Sequence, residues 1–138
     1  LVPLSDEIAL AHKYLAIEKL RLGERLQVRW EMNDCPPDVL VPPLLLQPLL
    51  ENAIYHGIET ASAVGEIRVR IDAGRSWLKI EIDNPLAARA TQRPGNRMAL
   101  SNLRERLMLF FDLEASIESG ERDGRYRVCV LLPRREPR

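Results

Sequence analysis

Net charge is the first thing this sequence lacks: twenty lysines and arginines face twenty aspartates and glutamates. A chain without an overall field has little to draw it to nucleic acid or to a membrane surface, so neither partner is expected. Lysine is scarce within the basic set, with Lys13, Lys19 and Lys79 against arginine everywhere else. GC-rich codon usage accounts for that more simply than an arginine-specific function. Cysteine is nearly absent too, and Cys35 and Cys129 lie too far apart to match a metal or redox spacing. Cys129 falls in an apolar strand pattern and reads as a reduced core residue of an intracellular protein. No apolar run is long enough to cross a bilayer, and no signal peptide is seen. The chain opens Leu1-Val2-Pro3 without an initiator methionine, which reads as a piece of a longer protein.

What is present is a globular pattern. A length of 138 residues at 46% hydrophobic content suits one domain with one core, residues 1–138. Leu4 to Leu22 reads as a leading helix with Ser5 as N-cap, Asp6 and Glu7 in its first turn, and Gly23 as its stop. The rest of the chain, 24–138, alternates strands and helices. Leu26, Val28 and Trp30 alternate with polar residues as in a half-buried strand, and 33–38 is a loop by its turn residues.

Helical spacing resumes after Pro42, with Leu45, Leu49, Ala53 and Ile54 on one face; Pro48 predicts a late start or a kink, and Gly57 an end. Strands over 66–72 and 77–83 form a hairpin across Ala73-Gly74-Arg75-Ser76. A polar loop from Asn84 to about Arg97 leads to a helix carrying Leu100, Leu103, Leu107, Phe110 and Phe111. Strands near 115–118 and 126–132 close the chain around Asp123-Gly124. The order α-β-α-β-β-α-β-β predicts an α/β (α+β) two-layer sandwich: a mixed, mostly antiparallel sheet with helices packed on one face.

One helix carries an unusual polar stripe. In Leu46-Gln47-Pro48-Leu49-Leu50-Glu51-Asn52-Ala53-Ile54-Tyr55-His56-Gly57, Asn52 and His56 stand four apart on one face and Glu51 borders it. A carboxamide oxygen is a good hard ligand for Mg²⁺, and a neighbouring carboxylate can orient water or accept a proton. Taken alone, the triplet reads more readily as the wet side of an amphipathic helix.

That string resembles the N box of the ATPase superfamily that joins histidine kinases, heat-shock chaperones and gyrase, whose nucleotide-binding domain has the Bergerat fold. Three stretches look more narrowly like the LytS/AlgZ-type sensor histidine kinases: Tyr14–Arg21, Val41–Gly57 and Ala99–Leu107. The likeness covers nearly the whole chain. It implies ATP and Mg²⁺ as ligands, with Asn52 holding the metal, Glu51 beside it as proton or water partner, and His56 near the phosphate end. Asp83 matches the aspartate of the family's first glycine box, whose carboxylate accepts from the adenine amino group. Gly95, Arg97 and Ala99 fall in the second box, Arg97 either contacting phosphate or projecting into solvent.

The boxes depart from the family pattern. Asp83-Asn84-Pro85-Leu86-Ala87 has lost both glycines, and Gly95-Asn96-Arg97-Met98-Ala99 keeps only the first. Glycines there let backbone amides approach phosphates, so their loss points to altered nucleotide binding.

The resemblance implies a two-component enzyme, a protein histidine kinase (a transferase in a phosphorelay), with this chain as its catalytic domain. The γ-phosphoryl group would pass to a histidine on an upstream dimerisation helix and then to a response regulator. The expected setting is the cytoplasmic side of a bacterial inner-membrane sensor, homodimeric in full length. The alternative is a degenerate scaffold with weak or no ATP binding; an ATPase using the N-box glutamate as base is a third reading. His12 reads as a solvated helix residue and Arg104–Arg106 as the wet face of a helix.

Overall fold

The structure, a computed structural model, describes residues 1–33, 35–59, 65–85 and 94–137, with backbone alone at 59 and 94–99. A short strand β1, Val2–Pro3, leads into helix α1, Leu4–Leu22, and a single 3₁₀ turn, Gly23–Arg25. Strands β2, Leu26–Asn33, and β3, Leu40–Val41, precede helix α2, Leu46–Ile54, which tightens into a π turn over Tyr55–Glu59. Strands β4, Gly65–Ala73, and β5, Trp77–Pro85, form the hairpin. Helix α3, Pro94–Phe111, a 3₁₀ turn Asp112–Glu114, and strands β6, Ser116–Arg122, and β7, Arg125–Pro133, complete the chain.

Five strands make one sheet in the order β2-β4-β5-β7-β6. β2 pairs in parallel with β4, and the other neighbours are antiparallel. The predicted α+β sandwich is therefore the observed architecture, with β1 and β3 added as a small antiparallel pair. Register sorts the side chains by face. Val69, Ile82 and Val128 lie in one row, and Ile71, Ile80, Val130 and Ile117 in the next. These buried rows form the core with Leu15 and Leu22 of α1, Leu46, Leu49 and Leu50 of α2, and Leu103, Leu107 and Phe111 of α3. The period of two then sends Arg68, Arg70, Glu81, Asp83, Arg127 and Cys129 to the opposite, open face.

Several local expectations change. Ser5 is not the cap of α1: Pro3 holds that position without a side-chain bond. The first-turn donors of Leu4 and Ser5 go instead to the carbonyls of Val39 and Pro37, so tertiary partners replace a local cap. Pro48 does not kink α2, because the helix starts late, at Leu46, and leaves Pro48 in a first turn whose amides have no intrahelical acceptor. The chain does not break at Gly57, which stays inside the π turn. The loop expected to run from Asn84 to Arg97 is shorter, since β5 continues to Pro85 and α3 begins at Pro94. Cys129 is not a core residue: it stands half-buried on the open face between the buried Val128 and Val130. No helix of the described residues is long and apolar enough to cross a membrane.

Candidate functional site

The polar stripe of α2 splits on folding. Glu51 is exposed and accepts from Gln47 Nε2 at 3.1 Å, a helical i, i+4 pair. Asn52 is 1% exposed, and neither its Oδ1 nor its Nδ2 meets a hydrogen-bond partner among the described residues. A buried amide without a partner is costly unless something else satisfies it. Its oxygen suits a hard cation, so the residue present fits Mg²⁺. Among the described residues, no cluster of three or more His, Cys, Asp or Glu could cage a metal.

The π turn carries the stripe onto the sheet. His56 packs edge-on to Tyr55 at 5.4 Å between ring centroids and tilts against Tyr126 of β7 at 5.3 Å. Burial lowers the His56 pKa below its ordinary 6.5, favouring the neutral imidazole. Gly57 then passes so close to β5 that a Cβ there would lie 2.8 Å from Asn84 Cβ. Its missing side chain is what permits this approach. Sequence reasoning took Gly57 as a helix stop, because a glycine needed for tertiary contact looks the same in one dimension.

Asn84 is the residue that sequence reasoning missed. It is 1% exposed, faces the π turn, and pairs in register with Tyr126, on which His56 rests. Its Nδ2 donates to Pro85 O at 2.9 Å, which orients the amide. Asp83, the expected adenine contact, points the other way. Its Oδ1 accepts from Arg125 Nε at 2.5 Å, and Arg125 Nη2 also donates to Glu66 O at 2.5 Å. Asp83 thus belongs to the open face, in a shallow depression of about 290 Å³ shared with Arg68, Arg70, Glu81, Arg122 and Arg127. The physical reason is strand alternation: Ile80 and Ile82 face the helices, so position 84 does as well and position 83 cannot. That parity was readable from the sequence and yielded to the aspartate of the family motif.

The second box is covered less fully. Gly95, Arg97 and Ala99 lie in the first turns of α3, where the backbone alone is described, and Leu86 and Ala87 of the first box lie outside the described residues. Arg104 donates to Ile117 O at 3.2 Å, while Arg106 donates to Leu44 O at 3.2 Å and to Pro43 O, so both brace backbone. His12 is exposed, its ring 4.7 Å from that of Trp30.

Comparison with known proteins points one way. No family model matches the chain. The sensor histidine kinase BtsS of Escherichia coli K12 is 35% identical over 139 residues, 98% of this chain and 24% of that protein. The sensor protein LytS of Bacillus anthracis is 28% identical over 149 residues, again 98% of this chain and 25% of its own length. This chain thus spans about a quarter of these relatives. Among solved structures, a nucleotide-free catalytic domain of histidine kinase ThkA superposes with a TM-score of 0.70 at 13% identity, covering 98% of this chain and 96% of that one. ThkA has also been solved with its response regulator TrrA; that structure aligns at 0.62 and 15% identity, over 94% of this chain and 40% of the other.

Proposed function

We propose that this chain, which belongs with the LytS-type sensor histidine kinases in sequence and has the fold of histidine kinase catalytic domains, binds Mg·ATP over α2 and supplies its γ-phosphoryl group to a histidine on an upstream dimerisation helix. Asn52 carries the reading, because its buried amide has no partner among the described residues. When bound, Mg²⁺ would supply positive charge that offsets the negative charge of the nucleotide's phosphates. Asn52 Oδ1 would hold it, Glu51 would orient water or take a proton, and neutral His56 would line the phosphate side. Phosphoryl transfer asks little covalent chemistry of a protein beyond such positioning.

On this reading the adenine contact passes from Asp83 to Asn84. Asp83 is held by Arg125 on the open face, whereas Asn84 lies under the π turn with its Nδ2 donating to Pro85 O, and its Oδ1 would accept from the amino group. An amide is a less strict reader than a carboxylate, because reversing it presents a donor. Discrimination of adenine from guanine should be correspondingly looser. Gly95, Arg97 and Ala99 remain candidates for the phosphate side. The phosphoryl group would go on to a response regulator, the class of partner with which ThkA was solved, within a homodimeric inner-membrane sensor that keeps this domain in the cytoplasm.

A specific observation favours a second reading. β5 runs as regular strand through Pro85, paired with Arg125, where the family's first box has a glycine loop. A scaffold that no longer binds ATP would tolerate that. Calorimetric titration of the chain with ATP, with and without Mg²⁺, decides between the two. Mg²⁺-dependent binding weakened by Asn52→Ala and Asn84→Ala supports the kinase domain; no heat from a folded chain supports the scaffold.

A further inference from the structure

Helix α2 brings no cap of its own. Its N-cap residue is Leu45, no side chain of its own caps it, and its first turn has no acidic residue. The anion at its amide end comes from another helix. Glu7 of α1 is 4% exposed, and its carboxylate accepts from Leu44 N at 3.1 Å, Leu45 N at 2.7 Å and Leu46 N at 3.3 Å. Leu44 has φ of +57°, the left-handed region that side-chain-bearing residues avoid. Glu7 grips its amide and Arg106 its carbonyl, so the unfavourable turn into α2 is held from both sides.

The far end is held by the same segment of chain. Arg25, in the 3₁₀ turn directly after α1, donates from Nη2 to Ile58 O in the π turn at 2.5 Å. A carboxylate thus sits at the amide end and a guanidinium at the carbonyl end, each complementing the helix dipole. Asn52 lies six residues past Leu46, about 9 Å along the axis from this anchored end.

We propose that Glu7 is a positioning residue of the nucleotide site: through it, α1 sets where α2 begins and therefore where Asn52 presents its amide. The proposal rests on Asn52 as the Mg²⁺ ligand. Loosening Glu7 should then weaken the Mg²⁺-dependent part of ATP binding more than the part that does not need the metal.

The test compares the full 138-residue chain with Glu7→Gln and with Asp6→Asn, a control at an exposed neighbour. Each is followed by urea unfolding, by ATP titration with and without Mg²⁺, and by the NMR resonances of the Asn52 side-chain amide. In Glu7→Gln those resonances should shift and Mg·ATP affinity fall about tenfold, with Mg²⁺-free affinity changing by less than about twofold. Asp6→Asn should match the parent. A Glu7→Gln chain that loses stability yet keeps Mg·ATP affinity within about twofold overturns the proposal, since Glu7 would then serve stability alone. If the parent chain takes no nucleotide, the binding reading fails by itself and the Asn52 resonances decide. Unmoved by Glu7→Gln they overturn the positioning role; moved, they sustain it. Should Glu7→Gln not fold, Glu7→Asp, which keeps the charge but is one methylene short, is judged by the same readings.

Discussion

The two faces of β5 part company at adjacent residues. Asn84 turns toward the π turn and the core, while Asp83 turns toward an open face of ion pairs. There Arg70 reaches Glu31 at 3.1 Å, Arg127 reaches Glu81 at 3.5 Å, and Arg125 holds Asp83. On the helix side Asn52 lies buried without a partner among the described residues. The contrast is the ground on which the proposed nucleotide site is placed on the helix face. On the open face Arg70, Arg125 and Arg127 already have opposite charges, whereas the helix face keeps the amide of Asn52 without a partner among the described residues.

The largest expected effect tests the helix face directly. Asn52→Ala should weaken Mg·ATP binding about 100-fold in calorimetry while leaving ATP binding without Mg²⁺ nearly unchanged. An equal loss with and without the metal would mean that Asn52 only packs.

The next comparison sets the neighbours against each other. Asn84→Ala should weaken ATP about tenfold by removing a hydrogen-bond acceptor, and Asp83→Ala should leave affinity within about twofold. Asp83→Ala should instead cost about 2 kcal/mol in urea unfolding, because it strands Arg125 in a largely buried setting. If Asp83→Ala abolished binding and Asn84→Ala did not, the assignment of the two faces would be reversed.

Gly57→Ala sharpens the contrast from the backbone side. Its Cβ would crowd Asn84 Cβ at 2.8 Å, and overpacking of this kind costs about 1–3 kcal/mol. Pairing it with Asn84→Gly, which removes the clashing atoms, should recover part of the stability but not the affinity.

The smallest effect is in pH. His56 has its pKa lowered by burial, so the unfolded chain binds a proton more readily than the folded one. Its contribution is therefore present above the ordinary value of 6.5 and is lost as pH falls below it, toward the folded value. His56→Phe should flatten that acidic limb of the stability curve measured by thermal unfolding.

Much of the architecture was legible because it depends on local period. Alternation in 66–72 and 77–83, and the apolar spacing of Leu45, Leu49 and Ala53, placed the hairpin and α2 within a few residues of where they form. The N-box string was legible as chemistry because a carboxylate, an amide and an imidazole interrupt an otherwise apolar helix. The errors have a common source. Ser5, Gly57 and Cys129 were assigned by their most frequent local role, but each is placed by a partner distant in sequence: the carbonyls at 37 and 39, the Asn84 side chain of β5, and the register of β7.

The sequence by itself determined the order of elements, the identity of the N-box helix and the likeness to sensor kinases, since these follow from residue type and spacing along one chain. Only the tertiary structure decided that Asn84 meets Gly57 and Asp83 meets Arg125, why Gly57 must be glycine, and that a glutamate of α1 caps α2. Those depend on pairing between segments up to 42 residues apart, and helix and strand periodicity specify a residue's side of its own element, not what the neighbouring element brings to meet it.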